Sequence, residues 1–161
     1  MCPMRRTGIA LLTLTLVLSL TACGAGLNAS TREMKQVTDG AEASISTNGN
    51  LIKLLNIVVV ETAAGTGVLV GTVINSLAAE DALLGVAING VVATVTGRNS
   101  LPQNSPIHFG GESANAKAIL PGLDVKAGQH VPVTMFFARA GEITVMAIVR
   151  DQRGDFTGVS A

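Results

Sequence analysis

The chain has 161 residues, with 11 basic and 11 acidic side chains and no formal net charge, so it lacks the concentrated basic face of a nucleic-acid binder. Its aromatics are four phenylalanines, without Trp or Tyr, which leaves little to build the stacking platforms that sugar and single-stranded nucleic-acid sites use. The two cysteines are Cys2 and Cys23, too few for a disulfide framework or a zinc site in the body of the chain.

Arg5 and Arg6 come first, followed by an apolar run over 8–20 broken only by Thr and Ser. This predicts a secretory signal over 1–22, too short in its apolar part to span a bilayer. Leu20-Thr21-Ala22-Cys23 resembles the lipobox of bacterial lipoproteins. That resemblance implies cleavage between Ala22 and Cys23, a diacylglycerol thioether on Cys23, and a further acyl chain, such as palmitate, on the new amino terminus. One acyl chain holds a protein marginally, whereas two or more make a durable anchor. The competing reading is an ordinary secretion signal with an unrelated cysteine. The expected location is the extracytoplasmic face of the cell membrane, lipid-anchored at Cys23. Residues 23–161 carry nine basic and eleven acidic side chains, a net charge of about −2, and suffice for one domain with a tether.

Residues 23–48 are polar and small. Ser30 and Glu33 have capping-box spacing for a short helix that Gly40 would end, but within that helix just Met34 and Val37 could pack, so a flexible tether is expected. From 49 the pattern turns to strands. A strand is expected over 51–61, bent midway, then others over 68–75 and 82–88. Asn89-Gly90 is a two-residue hairpin signal, with 91–96 as the returning strand. The stretch 97–106 reads as a loop, 107–109 as a brief strand and 116–120 as another. Residues 131–137 alternate, placing Val131, Val133, Met135 and Phe137 on one side. Arg139-Ala140-Gly141 predicts a three-residue hairpin loop, and 142–149, apolar on both faces, a central strand. Residues 151–161 read as a polar C-terminal tail. About seven or eight short strands at spacings near ten residues argue for an all-β sandwich over 49–150.

Several segments together resemble the LpqE-type lipoproteins of actinobacteria, which are related to the periplasmic copper chaperones of the PCuAC family. They are Asn48-Gly49-Asn50, the run 69–75, the run 81–86, and above all Gly122-Leu123, Lys126-Ala127-Gly128, Val131-Pro132-Val133-Thr134, Phe137 and Ala140-Gly141. The resemblance covers about 48–150 and implies a cupredoxin-like or immunoglobulin-like sandwich. In the copper chaperones, His and Met side chains line a surface copper site, soft donors suited to cuprous copper. The resemblance puts the earlier ligand position at Thr94-Val95-Thr96 and the later pair at Lys117-Ala118-Ile119. Neither holds His or Met. After residue 22 the methionines are Met34, Met135 and Met146, and the histidines His108 and His130. These two histidines are the candidates for a substitute site; the bland reading makes both solvent-facing loop residues, with Met135 in the core.

No other chemistry emerges. Gly110-Gly111-Glu112-Ser113 lacks the glycine-flanked elbow that exposes a nucleophilic serine. Glu80-Asp81 reads as a solvated polar turn. Asp151, Gly154 and Asp155 lack calcium-loop spacing and its terminal glutamate. The expectation is a non-catalytic binding or structural module with no cofactor. It would meet the membrane through Cys23, bind an envelope protein or cell-wall component through one sandwich face or the loop 97–106, and take no nucleic acid. The alternative is a copper chaperone-like protein with a diverged site.

Overall fold

A computed structural model describes residues 40–161; the signal segment, Cys23, Met34 and most of the expected tether lie outside the described residues. Eleven strands run in chain order: β1 (Ala41–Ile45), β2 (Ile52–Glu61), β3 (Gly67–Asn75), β4 (Asp81–Ile88), β5 (Val91–Val92), β6 (Thr94–Gly97), β7 (Ser100–Leu101), β8 (Ile107–Phe109), β9 (Ala116–Leu120), β10 (His130–Phe137) and β11 (Gly141–Asp151). Among the described residues the one helical element is a 3-10 turn at Gly154–Phe156. The expected all-β class holds.

The strands join in the order β5-β4-β10-β11-β2-β3-β8-β9-β6, with β1 beside β2 and β7 beside β4. All neighbours are antiparallel except β11–β2 and β8–β9. The two ends of this order, β5 and β6, are separated in sequence by Ala93 alone. The sheet therefore curls back on itself, and its inner faces meet in one core. Val86, Ile88, Val133 and Met135 fill that core from one side, and Leu54, Ile57, Leu69 and Phe109 from the other. Val131, Val133, Met135 and Phe137 all point inward, as their alternation requires.

The expected bend in the 51–61 strand is a bulge. Asn56 takes φ 55°, and the register against β3 slips between Leu55 and Val58. The slip keeps Ile52 and Leu54 inward before it and Ile57 and Val59 inward after it. Gly71 lies against this bulge with φ 147°; a Cβ there would come 2.6 Å from Ile57 Cδ1 and 3.0 Å from Asn56 O. At the Asn89-Gly90 turn both residues have positive φ, as a type I′ hairpin demands.

Four expectations need correction. The strand count among the described residues is eleven, because β1 and β7 add short pairings and the 91–96 strand is cut in two. The cut falls where Ala93 turns inward, 6% exposed, and the chain passes from β4 to pair with β9. The domain begins ahead of residue 49: β1 pairs with β2 from Ala41 and sends Ile45 into the core. The loop 97–106 is tied down, since β7 pairs with β4, Leu101 is fully buried, and Arg98 donates to Ser100 O and Ser105 Oγ. The tail beyond Asp151 packs, with Phe156 and Val159 sitting over Val58, Val60 and Val68 on the outer side of the sheet.

Candidate binding surface

The two stretches marked by the resemblance are brought together. β6 and β9 pair antiparallel with Thr94 opposite Ile119, Val95 opposite Ala118 and Thr96 opposite Lys117. Directly opposed residues share a face, and Ala118 is the fully buried member of β9. Thr94, Thr96, Lys117 and Ile119 therefore form an outward cross-strand cluster. Two hydroxyls, an ammonium and an alkyl group do not suit copper: a cation is repelled by lysine, and cuprous copper needs thioether or imidazole donors.

The histidines do not compensate for this. Both stand on strands, where the bland reading had them in loops. His108, on β8, is half-buried and shares a hydrogen bond between its Nδ1 and Thr72 Oγ1, 3.0 Å apart; its backbone N–H donates to Asn115 Oδ1. His130 opens β10 and is exposed. β11, β2 and β3 lie between the two strands, so the histidines sit on non-adjacent strands, and among the described residues no hydrogen bond or shared partner links them. Met135 is fully buried and points to the opposite side of β10 from His130. Among the described residues, no group of three or more His, Cys, Asp or Glu side chains is placed to hold a metal.

The described residues line at least two surface clefts. One, of about 420 Å³, is lined by Glu61, Thr62, Lys126, Asp151 and Arg153. Its charges are matched: Lys126 Nζ lies 3.5 Å from Glu61 Oε1 and Arg153 Nε 3.2 Å from Asp151 Oδ2. Another, of about 450 Å³, lies between the Gly110-Gly111 turn and the C-terminal segment, over Val70, Phe156 and Val159. Neither places a nucleophile beside a base. Asp81 is also accounted for structurally, 4% exposed and accepting from the N–H groups of Ala82, Arg139 and Ala140.

A different feature stands out on the outer side of β4, β10 and β11. The register sets Val92, Ala87, Thr134 and Thr144 in one row, Gly85, Phe136 and Glu142 in a second, and Pro132 with Met146 in a third. The register slip between Phe136 and Phe137 leaves Leu84 as the extra residue of β4, turned outward. Leu84 is 67% exposed, Val92 76% and Met146 55%. Sequence reasoning missed this surface. It read 142–149, apolar on both faces, as a central strand, and β11 does lie between β10 and β2, but burial follows the inner residues Val145, Ala147 and Val149 and leaves Met146 exposed. The available signal was the same two-sided pattern, which serves an uncovered face as well as a covered one.

No protein-family model and no curated protein sequence matches the chain. Solved structures do. The apo PCuAC domain from PmoF1 is 18% identical with a TM-score of 0.57, the match covering 69% of this chain and 99% of that one. The copper-bound PCuAC domain from PmoF2 is 21% identical with a TM-score of 0.56, over 69% and 98%. The apo form of the PmoF2 domain is 20% identical with a TM-score of 0.54, over 70% and 98%. At these identities the likeness is one of fold: the sheet described above is a PCuAC-like sandwich.

Proposed function

We propose that the chain is a lipid-anchored extracytoplasmic module on a PCuAC-like fold, and that it works by binding an envelope component. Its binding surface is the outer face of β4, β10 and β11. The observation that carries this reading is the group of large apolar side chains, Leu84, Val92 and Met146, left in water on one continuous sheet face. A soluble domain spends such side chains where something covers them. Of the two surfaces expected from the sequence, the loop 97–106 is consumed by its own contacts, so the face is favoured. The anchor rests on the sequence of residues 20–23. Intact-mass analysis of membrane-extracted protein tests it: Cys23 is expected to carry the diacylglycerol adduct, and Cys23→Ala to give a precursor or a released form. An unmodified Cys23 at a correctly processed amino terminus would defeat the anchoring.

Copper handling is the second reading, and the comparisons favour it over the anchored module, because one similar solved domain is copper-bound. Against it stands the donor set at Thr94, Thr96, Lys117 and Ile119. A competition titration against a cuprous chelator decides between them. The expected outcome is no tight one-to-one binding at neutral pH, and at most weak uptake that His108→Ala or His130→Ala removes. Tight stoichiometric binding would promote the copper reading.

A further inference from the structure

The outer surface of the sheet carries two apolar strips, and the described residues cover only one of them. Val58, Val60 and Val68 are at most 2% exposed under Phe156 and Val159, and Ile148 of β11 packs at the margin of this cover. Two residues earlier on the same side of β11, Met146 is 55% exposed. From there the bare strip runs through Pro132, Phe136 and Leu84 to Val92. Its centre is prepared to lose water, because the hydroxyls of Thr134 and Thr144 bond to each other at 2.7 Å and leave fewer polar atoms to desolvate. Among the residues of the three rows the sole formal charge is Glu142, at the hairpin end.

We propose that this strip lies against the lipid surface that anchors the chain; the inference rests on the anchoring read at Cys23 and deepens it. The position of the chain's start carries the choice of occupant. Ala41 pairs with Ile57, two residues before Val59, the partner of Val149. The chain thus enters the domain beside the middle of β11, next to the strip's Met146. Cys23 stands 18 positions before Ala41, so even a fully extended connection reaches no more than about 65 Å. A short connection that enters at the margin of an uncovered apolar face holds that face within reach of the bilayer. Leu84, Val92, Phe136 and Met146 can then enter the interfacial layer as the apolar side of an interfacial element does.

The test uses the full lipidated chain on phosphatidylcholine vesicles that contain a nitroxide-labelled acyl chain. An environment-sensitive fluorophore is placed by Val92→Cys, by Met146→Cys, or by Lys117→Cys on β9 as a control on a different face; acylation of Cys23 leaves the introduced thiol as the labelling site. Quenching is expected to be several-fold stronger at 92 and 146 than at 117. Leu84→Asp combined with Met146→Asp is expected to abolish quenching at 92 while the chain stays anchored and keeps its β-type circular dichroism. Equal quenching at all three positions would overturn the proposal. So would protection at 92 and 146 without lipid contact in a dimeric chain, which would assign the strip to a second copy. The intact mass of the same sample reports separately on the anchor. If Cys23 proves unmodified, quenching of a Cys23→Ser chain confined to 92 and 146 still upholds the lipid contact, and its absence overturns it.

Discussion

Asp81 illustrates at the scale of one residue how a pattern can be legible while its meaning is not. In the sequence, Glu80-Asp81 reads as a polar turn in solvent. In the fold, Asp81 is 4% exposed, and its two carboxylate oxygens accept from the backbone N–H of Ala82 at 2.7 Å and of Arg139 and Ala140 at 2.9 Å each. It thereby pins the β10–β11 hairpin loop to the start of β4. A polar turn and a buried clamp use the same letters; they differ in what folds over them, and that is a long-range fact. Asp81→Ala strands N–H groups beneath the hairpin and is expected to cost on the order of 3 kcal/mol. Asp81→Asn keeps one acceptor but turns an amide N–H₂ toward a donor, so it should lose a substantial part of that. Urea melts of the three proteins check the order wild type, Asn, Ala; an unchanged midpoint in Asp81→Ala would remove the clamp from the account. Asn75, 2% exposed, plays a similar part, donating to Ala79 O and Leu101 O and accepting from Leu77 N.

Among the elements, legibility followed local rules. Asn89-Gly90 and Gly141 marked their hairpins because φ > 0 is a local demand. The clean alternation of 131–137 fixed which side of β10 is inward. What escaped were decisions made by tertiary partners. The break at Ala93 exists because the sheet must close, and no residue near it announces a change of partner strand. β1 alternates Ala41, Ala43 and Ile45 with Glu42 and Ser44, a pattern too short and too small to rise above the polar stretch before it. The C-terminal segment escaped for the same reason: its contribution rests on two apolar side chains, Phe156 and Val159, among polar neighbours. Its local hydrogen bonds include Gln152 Nε2 to Val159 O at 2.6 Å and Thr157 Oγ1 to Gly154 O at 2.9 Å, so its grip on the sheet is chiefly apolar. Deleting 152–161 uncovers Val58, Val60 and Val68 and is expected to cost on the order of 2–4 kcal/mol. A fluorescent probe of exposed apolar surface should bind the shortened chain more strongly. Phe156→Ala with Val159→Ala should reproduce most of both effects; if the double variant behaves as wild type, the segment is not a cover.

For the whole molecule, the class of fold was legible because strand-length segments recur with turn signals between them, and the family likeness pointed to the same sandwich. The two stretches that the resemblance marks, Thr94-Val95-Thr96 and Lys117-Ala118-Ile119, meet across one ladder, although no local signal in either foretells that pairing. The uncovered face was not legible, because exposure is decided by which strands end the packing. The boundary of the folded unit was the largest misreading, and it carries the last prediction. β1 shields Ile52 and Leu54, 1% and 0% exposed, along the side of β2 away from β3, and it adds Ile45 to the core. A chain of 40–161 is therefore expected to melt cooperatively with a β-type far-ultraviolet spectrum, with a chelator present throughout, since its core is filled by side chains alone. A chain of 50–161 keeps every strand anticipated from the sequence yet leaves that side of β2 bare. It should lose about 3–5 kcal/mol, the burial of Ile45 together with renewed exposure of its neighbours. It should also self-associate through the open edge, as unpaired strands do. Equal stability of the two chains would return the boundary to residue 49, and folding of 40–161 that requires added metal would overturn the idea that packing alone holds this sandwich together.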